Sequence, residues 1–115
     1  FFSGGIDSSA VAAFATRGGV RPICFGVHFT GQGVIDERPY QEAAARALGV
    51  ELHLTTMDGA EFPDDLARLM YVQDQPVIGA AMFPMDRVSQ LAAGRVTVCL
   101  GGQAADELFG GYARY

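Results

Sequence analysis

The sequence predicts an α/β domain in which a parallel sheet is flanked by helices on both faces. Three observations carry that expectation. Strand-like apolar runs alternate with helix-forming segments through the 115 residues, the order that builds parallel sheets through crossover helices. The run Val20–Phe29 (VRPICFGVHF) is apolar almost throughout and rich in β-branched and aromatic residues, as a strand covered on both faces must be. Two glycine pairs, Gly4-Gly5 and Gly101-Gly102, each lie in the turn after a predicted strand. Both turns then belong at the carboxyl edge of the sheet, where ligands gather in such folds.

In chain order, Phe1-Phe2 suits the end of a strand and Ser3-Gly4-Gly5 a tight turn. Ile6–Thr16 is a helix of small and apolar residues, stopped by Arg17-Gly18-Gly19. After the buried strand Val20–Phe29, Asp36 or its neighbour caps a second helix running to Leu48, with Pro39 in the first turn and Gly49 as its stop. Val50–Thr56 (VELHLTT) alternates apolar with polar residues, which predicts a third strand nearer an edge, with Glu51, His53 and Thr55 on one face. Asp58–Tyr71 supports a helix with Glu61, Asp64 and Asp65 near its start, where negative charge favours the helix dipole. Gln73-Asp74-Gln75-Pro76 is a breaker, Phe83–Ala93 a helix ended by Gly94, and Arg95–Leu100 (RVTVCL) a fourth strand.

A chain of this length holds one domain at most. Only Phe1 and Phe2 precede the first turn, whereas a buried strand needs about five or six residues, so residues 1–115 read as part of a domain within a longer protein. The net charge of −5, the absence of lysine and the scatter of the eight arginines argue against a nucleic-acid surface. No run approaches the roughly 18 apolar residues of a membrane span, and nothing resembles a signal peptide, so a soluble cytoplasmic domain is expected. Cys24 and Cys99 lie in apolar runs without CxxC spacing and read as buried free thiols. His28 and His53 each stand alone and read as structural.

The first turn has the makings of an anion site. Backbone N–H groups meet the positive end of a helix, with no Cβ in the way at Gly4 and Gly5, and Ser3, Ser8 and Ser9 add hydroxyls. Asp7 would repel an anion there unless a divalent cation stood between them, which points to a magnesium-bound polyphosphate. A glycine pair between strand and helix also serves turns that bind nothing, and neither GxxxxGK(S/T) nor GxGxxG is present. In the second turn Gly101-Gly102 permits close backbone approach, and Asp106 and Glu107 offer oxygens near a helix start. Acidic residues in a first helical turn are equally an ordinary response to the helix dipole.

The hexapeptide SGGIDS at Ser3–Ser8 resembles the signature of the PP-loop ATP pyrophosphatases, which split ATP into AMP and pyrophosphate. Within them, the segment GGQAADELFGGYARY from Gly101 resembles the SGEGxDExFGGYxR stretch of the asparagine synthetase family. Asp36-Glu37-Arg38 with Tyr40 looks like that family's DERxY, Leu48-Gly49 with His53 like its LGxxxH, and Asp74-Gln75-Pro76 stands where DEP is usual. The resemblance implies an adenine nucleotide alpha hydrolase-like fold. It also implies that Ser3, Gly4, Gly5, Asp7 and Ser8 hold the β and γ phosphates of ATP and that Val27 packs on adenine. Gly101 and Gly102 would lie along the nucleoside, while Asp106 with Asp7 would bind Mg²⁺.

The family's reaction, so implied, is activation of a carboxylate, aspartate in the type case, as its acyl-adenylate. Attack follows by ammonia from a glutaminase domain outside residues 1–115. Three departures from the motif bear on this: Gly101 replaces serine, Gln103 replaces glutamate and Ala104 replaces glycine. A glutamine cannot act as a base, so a role for Gln103 in ammonia attack would be hydrogen bonding rather than proton transfer. Two other readings stand beside this one: another PP-loop ligase, and a nucleotide-binding module without turnover. Residues 1–115 alone are expected to be inactive.

Overall fold

The computed structural model describes residues 1–31, 33, 35–58, 62–74 and 79–112. Its elements in chain order are α1 (Ile6–Arg17), β1 (Ile23–Phe29), α2 (Arg38–Leu48), β2 (Glu51–Met57), α3 (Phe62–Gln73), α4 (Met82–Ala93) and α5 (Ala105–Phe109). Glu61, the Asp64 side chain, residues 75 and 76, and residues 113–115 of the second motif lie outside the described residues.

Helix ends follow the sequence closely. Gly19 adopts φ +83, which lets its N–H reach Thr16 O at 3.0 Å and Val20 N–H reach Ala15 O at 3.0 Å, closing the last carbonyls of α1. Gly49, at φ +66, does the same for α2 through Val50 N and Ala45 O at 3.1 Å. The Asp36 carboxylate accepts from Arg38 N at 3.0 Å just outside α2. That backbone N–H, ahead of the Arg38 guanidinium, holds the Asp36 carboxyl below the usual carboxylate range. β1 begins three residues later than the apolar run suggests. Val20 N is spent on α1, and Pro22 has no N–H to offer a ladder.

β1 and β2 pair in parallel from Ile23↔Glu51 to Phe29↔Met57, and this two-stranded sheet holds the α/β fold together. Cys24 on one face of β1 packs with Phe2, Ala12 of α1 and Ala45 of α2. On the other face Phe25 packs with Val88 and Ala92 of α4, and Val27 and Phe29 lie against Met57, Leu69 of α3, Met82 and Phe83. Each fully buried Phe, Val, Leu or Met among them stabilises the fold by roughly 1.5–3 kcal/mol. Arg68 of α3 donates to Asp86 of α4 and to Asp65, which raises its pKa; the pairs are solvent-screened and contribute little.

Two expected strands are absent among the described residues. Thr30 N donates to Met57 O of β2 at 2.8 Å, so the even positions of β1 face β2 and the odd ones face the other edge. There Phe2 N donates to Phe25 O at 2.8 Å, and on its far side the Phe1 nitrogen donates to Leu100 O. The chain is therefore layered in the order β2, β1, residues 1–2, then the segment ending at Leu100. Only β1 and β2 form a ladder among the described residues, and neither Phe1-Phe2 nor Arg95–Leu100 is a strand there. Val98 and Leu100 are left exposed.

Cys99, expected in a buried strand, is exposed with them, while Cys24 is buried as expected. Burial pushes the Cys24 thiol up. Among the described residues no helix is long and apolar enough to cross a membrane.

Candidate active site

The layering brings the two glycine turns side by side. Residues 1–2 neighbour both β1 and the segment before Gly101, and chain order reverses between them, the position at which open parallel sheets form a crevice. Contact is close: a Cβ on Gly102 would stand 3.1 Å from Asp7 Cβ and 3.1 Å from Ser8 N.

The first turn is braced from within. Ser8 Oγ donates to Gly5 O at 3.2 Å, accepts from Ser3 N at 3.2 Å and lies 3.0 Å from Ser3 Oγ. Gly5 N donates to Ser3 Oγ at 3.3 Å. The two hydroxyls therefore fix the loop and leave the first N–H groups of α1 as its donors. Gly4 adopts φ +80 and lies against α2, where a Cβ would be 2.7 Å from Gln41 N. Gly5 has an ordinary φ of −72, and a Cβ there would meet the Ser3 hydroxyl at 3.3 Å, so the demand for glycine is weaker than at Gly4. Ser9 Oγ is buried and has no partner among the described residues.

In the second turn Ala104 adopts φ 70 and ψ 1, a left-handed conformation that costs an L-residue about 1–2 kcal/mol. This is the position where the resembled motif carries glycine. Ala104→Gly is expected to stabilise the protein by about 1 kcal/mol in urea unfolding; a loss of stability would show that the alanine methyl makes a compensating contact. Asp106 sits in the first turn of α5, and its Oδ1 occupies the place a Cβ on Gly111 would take. Glu107 points elsewhere. It accepts from Tyr112 Oη at 2.7 Å, and that hydroxyl lowers its pKa.

Between the turns lies a cavity of about 410 Å³, of small-molecule size. Ser3, Asp7 and Ser8 line it from the first turn, Gly101, Gly102, Gln103 and Asp106 from the second, and Val27 from β1. Gly4 and Gly5 do not line it. Phe25, Met85 and Val88 form an apolar wall. Two polar lining residues, Glu37 and Gln41 at the start of α2, are not among the expected site residues. Gln41 leaves a trace in the sequence: it shares a helical stripe with Ala45 and Leu48, where an apolar residue is expected. His53 pairs with Glu51 at 2.7 Å and stacks on Phe25, and His28 bonds Thr56 at 3.2 Å; neither lines the cavity.

A model of the asparagine synthase family matches residues 1–115. The chain belongs to the asparagine synthase family. It is 39% identical over 115 residues to "Putative asparagine synthetase (glutamine-hydrolyzing)" of Mycobacterium tuberculosis. To "Asparagine synthetase (glutamine-hydrolyzing) 1" of Bacillus subtilis it is 37% identical over 115 residues. Both alignments cover 100% of the chain and 18% of the relative, so the chain spans less than a fifth of the length of these curated relatives. No solved structure matches it.

Among the described residues no group of three or more His, Cys, Asp and Glu side chains could hold a metal alone. Asp7 and Asp106 both line the cavity and would be the carboxylates open to a magnesium ion that arrived with a polyphosphate. Mg²⁺ is commonly bound by one or two carboxylates, with substrate phosphates and water completing the shell.

Proposed function

We propose that this cavity binds MgATP, and that within the intact protein it activates a carboxylate as an acyl-adenylate for amide formation, with AMP and pyrophosphate as products. Contact between the turns carries the reading: Gly102 abuts Asp7 and Ser8, so one ligand can touch both. Asp7, Glu37 and Asp106 line the cavity, and no arginine does among the described residues. A triphosphate in such a place needs a cation, which would supply charge neutralisation on the leaving pyrophosphate.

The chain's own part is to hold and align. N–H groups at the start of α1 would take the β and γ phosphates, the apolar wall beside Val27 would take the base, and Gly101-Gly102 would let the nucleoside lie along the backbone. The acid's oxygen then attacks the α phosphorus in line with departing pyrophosphate, and stabilising charge on the leaving group is the main demand. Gln103 lines the cavity; it would be able to hydrogen-bond the activated acid, but an amide cannot take a proton from ammonia. That residue favours a second reading, a site that binds nucleotide without completing the amide.

ATP–pyrophosphate exchange by the intact protein, measured over a panel of carboxylic acids with aspartate among them, separates the two. Exchange dependent on one acid is the expected result. Tight MgATP binding with no exchange for any acid would leave the silent binder.

A further inference from the structure

Gln41 has no exposed surface and stands where the first turn leaves the sheet. We propose that it is a positioning residue that ties the phosphate-holding turn to the base-side strand, an inference that rests on the nucleotide reading above. Its Nε2 donates to Phe2 O at 3.4 Å and to Val27 O at 3.1 Å. Phe2 immediately precedes Ser3, and Val27 lines the cavity at the end expected to take the base.

The geometry explains why an amide is needed at this point. Phe2 N donates to Phe25 O, and a parallel ladder would continue with the N–H of residue 4 on Val27 O. Instead the chain turns away at Gly4, and the Gln41 amide takes over the abandoned carbonyls. The amide cannot be reversed, because Oε1 would then face two carbonyl oxygens. Oriented this way, Oε1 is buried with no partner among the described residues, a cost that an apolar side chain of similar size would avoid. Packing alone therefore does not select glutamine. Two glycines make room for it: a Cβ on Gly26 would lie 3.0 Å from Nε2, and one on Gly4 would lie 2.7 Å from Gln41 N.

ATP would bridge the two regions that Gln41 joins. Such a ligand gains affinity over its separate halves only while the spacing between their sites is held. Loss of the tie should weaken ATP more than either half. A residue that merely supports the fold would weaken all three alike.

The test is calorimetric titration of the intact protein with ATP, with pyrophosphate (both with Mg²⁺) and with adenosine, before and after Gln41→Met. The expected result is a rise of about tenfold in Kd for ATP, with pyrophosphate and adenosine changed by less than about twofold. Gln41→Glu gives an independent readout should the methionine variant fold poorly. Its ATP affinity relative to the unsubstituted protein should recover as pH falls, because a neutral carboxyl can donate to one carbonyl and a carboxylate cannot. Unchanged ATP affinity in Gln41→Met, a parallel loss for all three ligands, or a pH-independent Gln41→Glu would overturn the proposal. Failure of the unsubstituted protein to bind MgATP would instead remove the nucleotide reading beneath it.

Discussion

Asp106→Asn in the intact protein is expected to lower magnesium-dependent ATP–pyrophosphate exchange by about 10²- to 10³-fold, the scale on which loss of one preorganised electrostatic partner of a transition state is felt. The substitution keeps the size of the side chain and removes its charge. Its carboxylate lines the cavity from the second turn and that of Asp7 from the first, so Asp7→Asn should cost a similar amount. Because both groups would grip one cation, their effects should not add. The sign reverses without metal. Bare ATP is repelled by these carboxylates, so in excess chelator the asparagine variants should bind ATP at least as well as the unsubstituted protein. Unchanged exchange in both variants, at limiting and at saturating Mg²⁺, would remove the metal assignment.

Gly4→Ala should be the most damaging single methyl addition to the first turn, at about 3 kcal/mol in urea unfolding. Two causes combine in that figure: a left-handed φ of +80, worth about 1–2 kcal/mol for an L-residue, and overpacking, worth about 1–3 kcal/mol. The new Cβ would lie 2.7 Å from Gln41 N, 2.9 Å from Gln41 Cα and 3.0 Å from Tyr40 C. All three are backbone atoms of α2 and cannot swing aside. Gly19→Ala is the matched control. Its φ of +83 is nearly the same, yet nothing lies within 4 Å of the added Cβ, so it should lose only the conformational part. Equal losses in the two variants would show that Gly4 is kept for its φ alone.

Much of the fold is legible because short-range chemistry decides it. Gly19 and Gly49 end their helices by supplying the left-handed residue that a helix stop requires, and the apolar run of β1 declares a strand covered on both faces. The flanking strands were misread because a strand depends on its neighbour. RVTVCL has the right composition but joins no ladder among the described residues, and Cys99 is exposed with it.

The cavity lining was legible where a motif concentrates it, in parts of Ser3–Ser8 and Gly101–Asp106. Gln41 and Glu37 escaped because their part depends on where the first turn leaves the sheet, a three-dimensional fact. Gln41 on an alanine-rich stripe was the available hint. Without ligand, the Ser3 and Ser8 hydroxyls bond each other and the loop.

A structure of the intact protein with Mg²⁺ and an ATP analogue bearing a methylene bridge between the α and β phosphorus atoms tests the account most directly. One nucleotide is expected in the cavity, its triphosphate at the start of α1 and a single magnesium ion held between Asp7 and Asp106. A nucleotide bound elsewhere, or a triphosphate that touches one glycine turn and leaves the other open to solvent, would contradict it.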